Sequence, residues 1–295
     1  MNILVIGGTR LMGMPCIRAL LEKGHQVTIA NRGLTKDPFP HLPHIVLERT
    51  DADSIKKALD GKYFDVVFDH LAYCSNDVRA LLSTLSCGRY VMISTTSLYD
   101  KHMETVEEDF DPLQYPLKWC SRGDYPYGEI KRSAECALFQ AYPEFNAAAI
   151  RFPFVISRDD YTKRLYFYVR HIVQGKAMYV DNFDAPMGFI HAEEAGRFLA
   201  SFAENDFRGV VNGANFGTIS IKEVADYVAE KTGKQVILAE SADAVEAEDI
   251  APYNGEPAYS IVTKRAESLG FSFRRLDSYI YDLLGEYIAM AEAER

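Results

Sequence analysis

The chain has 295 residues, 48% hydrophobic and 25% charged, proportions ordinary for a globular protein. A net charge of -10 speaks against affinity built on neutralising nucleic-acid phosphates, and no apolar run approaches the roughly 18 residues that a membrane span needs. Five cysteines without a CxxC pair, and no charged segment leading into an apolar one, point to a reduced, cytoplasmic setting without a secretory signal.

An apolar strand, Ile3 to Ile6, runs into Gly7 and Gly8, and a helix begins near Leu11. A glycine turn between strand and helix lets the backbone approach a dinucleotide pyrophosphate, which the helix N-terminus then holds through free N–H groups. Residues 26–33 read as a second strand, 44–50 as a third, 64–73 as a fourth and 89–97 as a fifth, with helices over 14–23, 53–59 and 78–85 between them. Residues 100–126 carry prolines and no period, so they read as an irregular loop long enough to serve a function. A long helix over 127–142 leads to a sixth strand over 147–156, and further helices are expected over 163–174, 221–232 and 277–290. Apolar strands alternating with helices predict a doubly wound parallel α/β sheet of Rossmann type.

Tyr127 and Lys131 stand four apart on a helix and so share a face. A nearby ammonium favours the phenolate and lowers a tyrosine's pKa, which makes the phenol a usable acid or base. A hydroxyl ending a neighbouring strand can hold the same substrate oxygen. The spacing alone says little in a chain with 18 tyrosines. It recurs at Tyr227 and Lys231, in an ordinary amphipathic helix where a structural role is expected.

The order GGTRLMG, ISTTSLYD, YGEIK resembles the extended or atypical short-chain dehydrogenase/reductases of the NAD-dependent epimerase/dehydratase superfamily. The likeness runs on through IRFPFVI, GFIHAEEAGRFL and VVNGANFGTISIKEVADYVAEKTGK. It implies an enzyme that moves a hydride between a nicotinamide and a hydroxyl or carbonyl carbon of a small or sugar-like substrate, with Tyr127 moving the proton, Lys131 tuning it and holding the nicotinamide ribose, and Thr95 orienting the substrate oxygen. It also implies a Rossmann domain over residues 1–156, with 188–215 returning to it, and a smaller C-terminal substrate lobe over 157–187 and 216–295. Pairing of subunits through the helices after the fourth and fifth strands, hence a homodimer, is implied as well.

Cofactor contacts are expected from Gly7, Thr9, Arg10, Leu11, Met12, Gly13, Asn31, Arg32, Glu48, Leu71, Ala72, Tyr73 and Phe154. The second strand ends in Asn31 and Arg32 without a carboxylate, which favours NADP over NAD. Three departures stand out. Arg10 replaces the middle glycine of the family's GxxGxxG, and Phe154 and Met187 occupy positions where nucleotide-sugar enzymes of the family carry Asn and Arg. The last two argue against a nucleotide-sugar epimerase or dehydratase, which stays as one alternative. A non-enzymatic RNA-binding or regulatory protein on the same scaffold, suggested by the GGTR variant, is the other; the net charge and the Tyr127/Lys131 pair oppose it, and no nucleic-acid or membrane partner is expected. His41 and His44 flank loop prolines with no further ligand, so no metal site is expected. Trp119, Cys120 and Arg122 read as loop packing, able to touch substrate only if the loop roofs the pocket.

Overall fold

The computed structural model describes residues 1–34 and 37–294. Strand β1 (Asn2–Ile6) buries all four of its apolar side chains, as a strand covered on both faces must. It lies between β2 (Gln26–Asn31) and β4 (Tyr63–Asp69), both parallel to it. With β3 (His44–Val46), β5 (Ser86–Thr95), β6 (Ala147–Phe152) and β9 (Gly209–Asn212) they form a seven-stranded parallel sheet in the order β3-β2-β1-β4-β5-β6-β9. The strand order reverses between β1 and β4, and the crevice beyond their C-terminal ends is where doubly wound sheets bind ligands.

Helices α1 (Gly13–Glu22), α2 (Ala52–Leu59), α3 (Ser75–Leu82) and α4 (Tyr127–Cys136) are the crossovers. Helix α4 continues as a π-helical turn over Ala137–Ala141, which accounts for the long helix expected from the sequence. The third strand is shorter than its apolar run: residues 47–50 leave the sheet and curl, with the Glu48 carboxylate accepting from the Thr50 N–H and hydroxyl.

The sixth apolar run is divided. Pro153 has no N–H for a ladder, and the chain changes partners there. Residues before it pair with β5, whereas β7 (Phe154–Ile156) pairs with β8 (Phe189–His191) in a separate two-stranded sheet. Helix α6 (Ala192–Ser201) then packs across α1. A Cβ at Gly196 would lie 2.6 Å from the Cys16 nitrogen, so the two helices touch at backbone distance there. A second apolar core gathers around α5 (Arg164–Gln174), α7 (Ile221–Thr232) and α9 (Ile280–Ala293), with the short α8 (Lys264–Ser268) lying against β9.

The segment expected to be irregular has no strand and only a short 3-10 turn at Glu107–Asp109, yet it is firmly tied down. Arg151, fully buried, pairs with Glu135 at 2.5 Å and donates to the Tyr99 hydroxyl and to the carbonyls of Glu107 and Phe110. Removing either member of such a pair would strand a buried charge, at a cost of about 3–5 kcal/mol.

Candidate active site

A cleft of about 450 Å³ opens at the C-terminal ends of β1, β2 and β4. Gly7 and Gly8 adopt φ of 80° and 74°, which L side chains rarely tolerate. A Cβ on Gly13 would stand 2.3 Å from the Gly8 Cα, so the start of α1 sits directly on the turn. Ten of the thirteen residues expected to meet cofactor line this cleft: Gly7, Thr9, Arg10, Leu11, Met12, Asn31, Arg32, Glu48, Leu71 and Tyr73. Three do not. Gly13 is buried beneath Gly8, Ala72 is buried with its carbonyl turned to Lys131, and Phe154 packs into the second core against Tyr253 at 4.4 Å.

Arg32 is exposed and lies 3.7 Å from Glu48 at the β2 end of the cleft. Asn31 is engaged locally, its Oδ1 accepting from the Gly33 N–H and lying 2.8 Å from the His44 ring. The cleft floor holds residues that sequence reasoning missed. Arg49 donates to Asp69 at 2.6 Å, and the Tyr90 hydroxyl donates to the same carboxylate oxygen at 2.9 Å. Burial would raise the Asp69 pKa, but the Arg49 guanidinium outweighs it and holds the carboxyl below the usual range. His70 also lines the cleft, with its Nε2 buried and without a hydrogen-bond partner. Burial drives its pKa down to about 4, so the ring is neutral at pH 7.

Tyr127 opens α4 beside the end of β5. Gly128 permits this placement, since a Cβ there would lie 2.3 Å from the Ser97 carbonyl oxygen. Tyr127 is 47% exposed, with its ring 6.2 Å from that of Tyr73, while the neighbouring Thr95 hydroxyl donates to Ser97 Oγ and accepts from the Ser97 N–H. Burial pushes the phenol up to about 12, with Tyr73 adding to the rise, while the hydrogen-bonding Thr95 hydroxyl and the charge of Arg164 pull it back. Lys131 lies one helical turn on, buried, donating to the carbonyls of Ala72 at 2.8 Å and Ile93 at 2.7 Å. Burial lowers its pKa to about 8, partly offset by Glu135 and Asp69. The expectation that Lys131 lowers the Tyr127 pKa is therefore corrected. The phenol is raised, because it is crowded and the ammonium is committed to two backbone carbonyls.

The irregular loop does reach this site. Arg122 lines the cleft, donates to the Leu71 carbonyl at 3.0 Å and to Asp77 at 3.0 Å, and lies 4.6 Å over the Tyr73 ring. Trp119 is half-exposed with Arg79 over its ring, and Cys120 is buried against Ser75, so both pack. From the other side Tyr161 lines the cleft, with Arg10 5.1 Å over its ring. Its place in an aromatic-rich stretch was the only sequence signal, and Tyr166 and Tyr168 of that stretch are core.

Residues 3–84 match the model of the NAD dependent epimerase/dehydratase family. The fold of the chain is similar to that of MoeE5 in complex with UDP-glucose and NAD, at a TM-score of 0.72 and 21% identity over 100% of this chain and 99% of that one. It is also similar to a UDP-glucuronic acid 4-epimerase from Bacillus cereus in complex with NAD, at 0.71 and 16% over 100% and 99%. Among curated proteins, a chloroplast stem-loop binding protein of Arabidopsis thaliana is 33% identical over 37% of this chain and 33% of its own length. A 2'-dehydrokanamycin reductase of Streptomyces kanamyceticus is 25% identical over 72% of this chain and 60% of its own length. The matches thus span a third and three fifths of those two relatives.

Proposed function

We propose that the chain is an NAD(P)-dependent oxidoreductase acting on a hydroxyl or carbonyl carbon of a small or sugar-like molecule, with Tyr127, Thr95 and Lys131 as its working groups. The observation that carries this reading is the placement of Tyr127 at the head of α4, its ring 6.2 Å from that of Tyr73, which lines the glycine-bearing cleft. The residues present fit a dinucleotide. Gly7 and Gly8 line the cleft in backbone conformations that side chains rarely adopt, and the buried, unpartnered His70 Nε2 lies beside Gly8. When bound, the nicotinamide supplies or accepts the hydride.

The chain's own residues do the rest. Thr95 holds the substrate oxygen by hydrogen bond, and Tyr127 exchanges a proton with it. A phenol raised to about 12 is protonated at neutral pH, so its ready role is donor to the oxygen of a carbonyl being reduced. Lys131 keeps a positive charge beneath the site and ties the ends of β4 and β5 to α4. Arg32, exposed at the β2 end, favours a 2′-phosphate and hence NADP. A reduced cytoplasmic setting and a homodimer complete the reading.

Nucleotide-sugar epimerisation is the second reading, supported by the likeness to MoeE5 with its UDP-glucose. Against it, Phe154 belongs to an aromatic core and Met187 is fully buried, so neither position offers a polar group to a diphosphate.

Two measurements test the proposal. Deuteride from [4-2H]NADPH is expected in the alcohol formed from a panel of ketones and keto-sugars; deuterium washed into no product would refute the hydride role. Arg32→Ala is expected to weaken NADPH by about 1.5–3 kcal/mol, the range for a hydrogen bond to a charged group, with NADH little changed. Equal losses for both cofactors in a fluorescence titration would remove the NADP preference.

A further inference from the structure

Four arginines among the described residues line the cofactor cleft, and they differ in what each is bonded to. Arg49 is buried against Asp69, and Arg32 lies 3.7 Å from Glu48. Arg10, on the glycine turn, has no carboxylate within salt-bridge distance among the described residues and faces the Tyr161 ring. Arg122 reaches the cleft from the irregular loop that leads into Tyr127, with its side chain 38% exposed.

Three contacts fix the Arg122 guanidinium. Its Nε donates to Asp77 Oδ2 at 3.0 Å, its Nη2 donates to the Leu71 carbonyl at 3.0 Å, and its Cζ stands 4.6 Å from the centroid of the Tyr73 ring. Nη1 has no acceptor among the described residues. The same Asp77 oxygen also accepts from the N–H groups of Tyr73 at 2.9 Å and Cys74 at 3.3 Å. One oxygen thus serves three donors and compensates the guanidinium only in part. The loop behind the arginine is tied down as well. Ser75 Oγ donates to the Lys118 carbonyl at 2.7 Å and accepts from the Cys120 N–H at 2.8 Å, and the Asn76 N–H donates to the Cys120 carbonyl at 3.2 Å. A fork held by such contacts has little freedom left to lose on meeting a ligand.

Leu71 says what lies beside the fork. A Cβ on Gly7 would meet Leu71 Cγ at 3.1 Å, so the residue whose carbonyl holds Arg122 is packed on the glycine turn. A glycine turn leading into a helix is where a dinucleotide pyrophosphate is received. Arg10 on the turn and Arg122 on the loop are therefore two cations that separate segments of the chain bring to one cleft.

Resting on the reading of this cleft as a dinucleotide site, we propose that Arg122 binds the cofactor's pyrophosphate through the Nη1 edge of its guanidinium. Asp77, Leu71 and Tyr73 keep that edge aimed, and the contact puts the segment that leads into Tyr127 in touch with the bound cofactor.

The test reads binding to the full chain by calorimetry with three probes, NADPH, NADH and ADP-ribose, which share the pyrophosphate and differ in the 2′-phosphate and the nicotinamide. Arg122→Gln is expected to weaken all three by one common factor of about ten or more, as for the loss of a hydrogen bond between charged groups. Arg122→Lys is expected to recover part of the loss, because the charge returns without the fork. Added salt is expected to weaken ADP-ribose binding more steeply in the wild type than in Arg122→Gln, since the contact removed is between charges. An unchanged ADP-ribose affinity in Arg122→Gln would overturn the proposal, and so would a loss confined to NADPH, which assigns the arginine to the 2′-phosphate. A loss that keeps the wild-type salt dependence and is not rescued by lysine would overturn it too, by making Arg122 a structural support of the loop. A wild-type chain that binds none of the three probes would instead strike the reading of the cleft as a dinucleotide site.

Discussion

Two helices of this molecule carry the same Tyr-x-x-x-Lys spacing, and they put it to different uses. In α7, Tyr227 packs on Tyr281 at 5.0 Å, and the exposed Lys231 lies 5.5 Å over the ring of its own tyrosine. The pair decorates an amphipathic surface. In α4, Lys131 is buried and bonded to two carbonyls, one in β5 and one in the loop after β4, while Tyr127 opens the helix with its ring 6.2 Å from that of Tyr73. The residue after each tyrosine explains much of the difference. Val228 is a core side chain of the second apolar cluster, whereas Gly128 has no side chain and lets α4 press on the Ser97 carbonyl. Spacing places two groups on one helix face; what that face is pressed against decides the chemistry.

The comparison breaks most directly at the phenol. Tyr127→Phe is expected to keep fold and cofactor affinity and to cut turnover by roughly 10²–10⁴-fold, the usual worth of a positioned acid. Tyr227→Phe is expected to leave turnover unchanged. Steady-state rates on one reducible ketone with NADPH compare the two, and a wild-type rate for Tyr127→Phe would sink the assignment.

A smaller effect is expected from the glycine. Gly128→Ala adds a Cβ where only 2.3 Å is free, so α4 must shift away from Ser97 and part Tyr127 from Thr95. Displacement on the order of 1 Å at a reacting group costs about 10²-fold in rate. The variant should lose turnover while NADPH binding, measured by fluorescence, changes little. Loss of cofactor binding with unchanged turnover would contradict this geometry.

Smaller again is the pH effect of Lys131. Its folded pKa, about 8, lies below the model-peptide value of 10.5, so the ammonium is intact below pH 8 and is lost as pH rises past it. Turnover that depends on the charge should therefore decline above about pH 8. For stability the sign runs the other way: between about pH 8 and 10.5 the unfolded chain holds the proton more tightly than the folded one, so the burial penalty on Lys131 is relieved as pH rises. Lys131→Met should abolish the alkaline decline in rate and weaken cofactor. Lys231→Met should leave the pH profile as in wild type, the smallest effect of the series.

Much of the frame was legible in the chain. A short uninterrupted apolar run such as Ile3–Ile6, β-branched and closed by glycines, reads as a covered strand, and the glycines after it mark the turn. The floor and roof of the cleft were not legible. Arg49, Arg122 and Tyr161 come from three separate segments, and nothing local to each says that they meet. The Tyr127 pKa was misread because helix spacing reports which side chains share a face, while burial and competing acceptors decide where an ammonium goes. Phe154 was assigned to cofactor from its place in a motif, yet the strand it occupies had already left the main sheet at Pro153.

That proline makes the molecule's two layers a single continuous backbone. The residue ending β6 and the residue starting β7 are separated by one imino acid, so the wall carrying Phe154 is set by the sheet itself and not by a tether. Moving this wall would have to bend β6, which is laddered on both sides by β5 and β9. A change of side chain at Phe154 therefore alters the surface of this wall and leaves its position to the sheet.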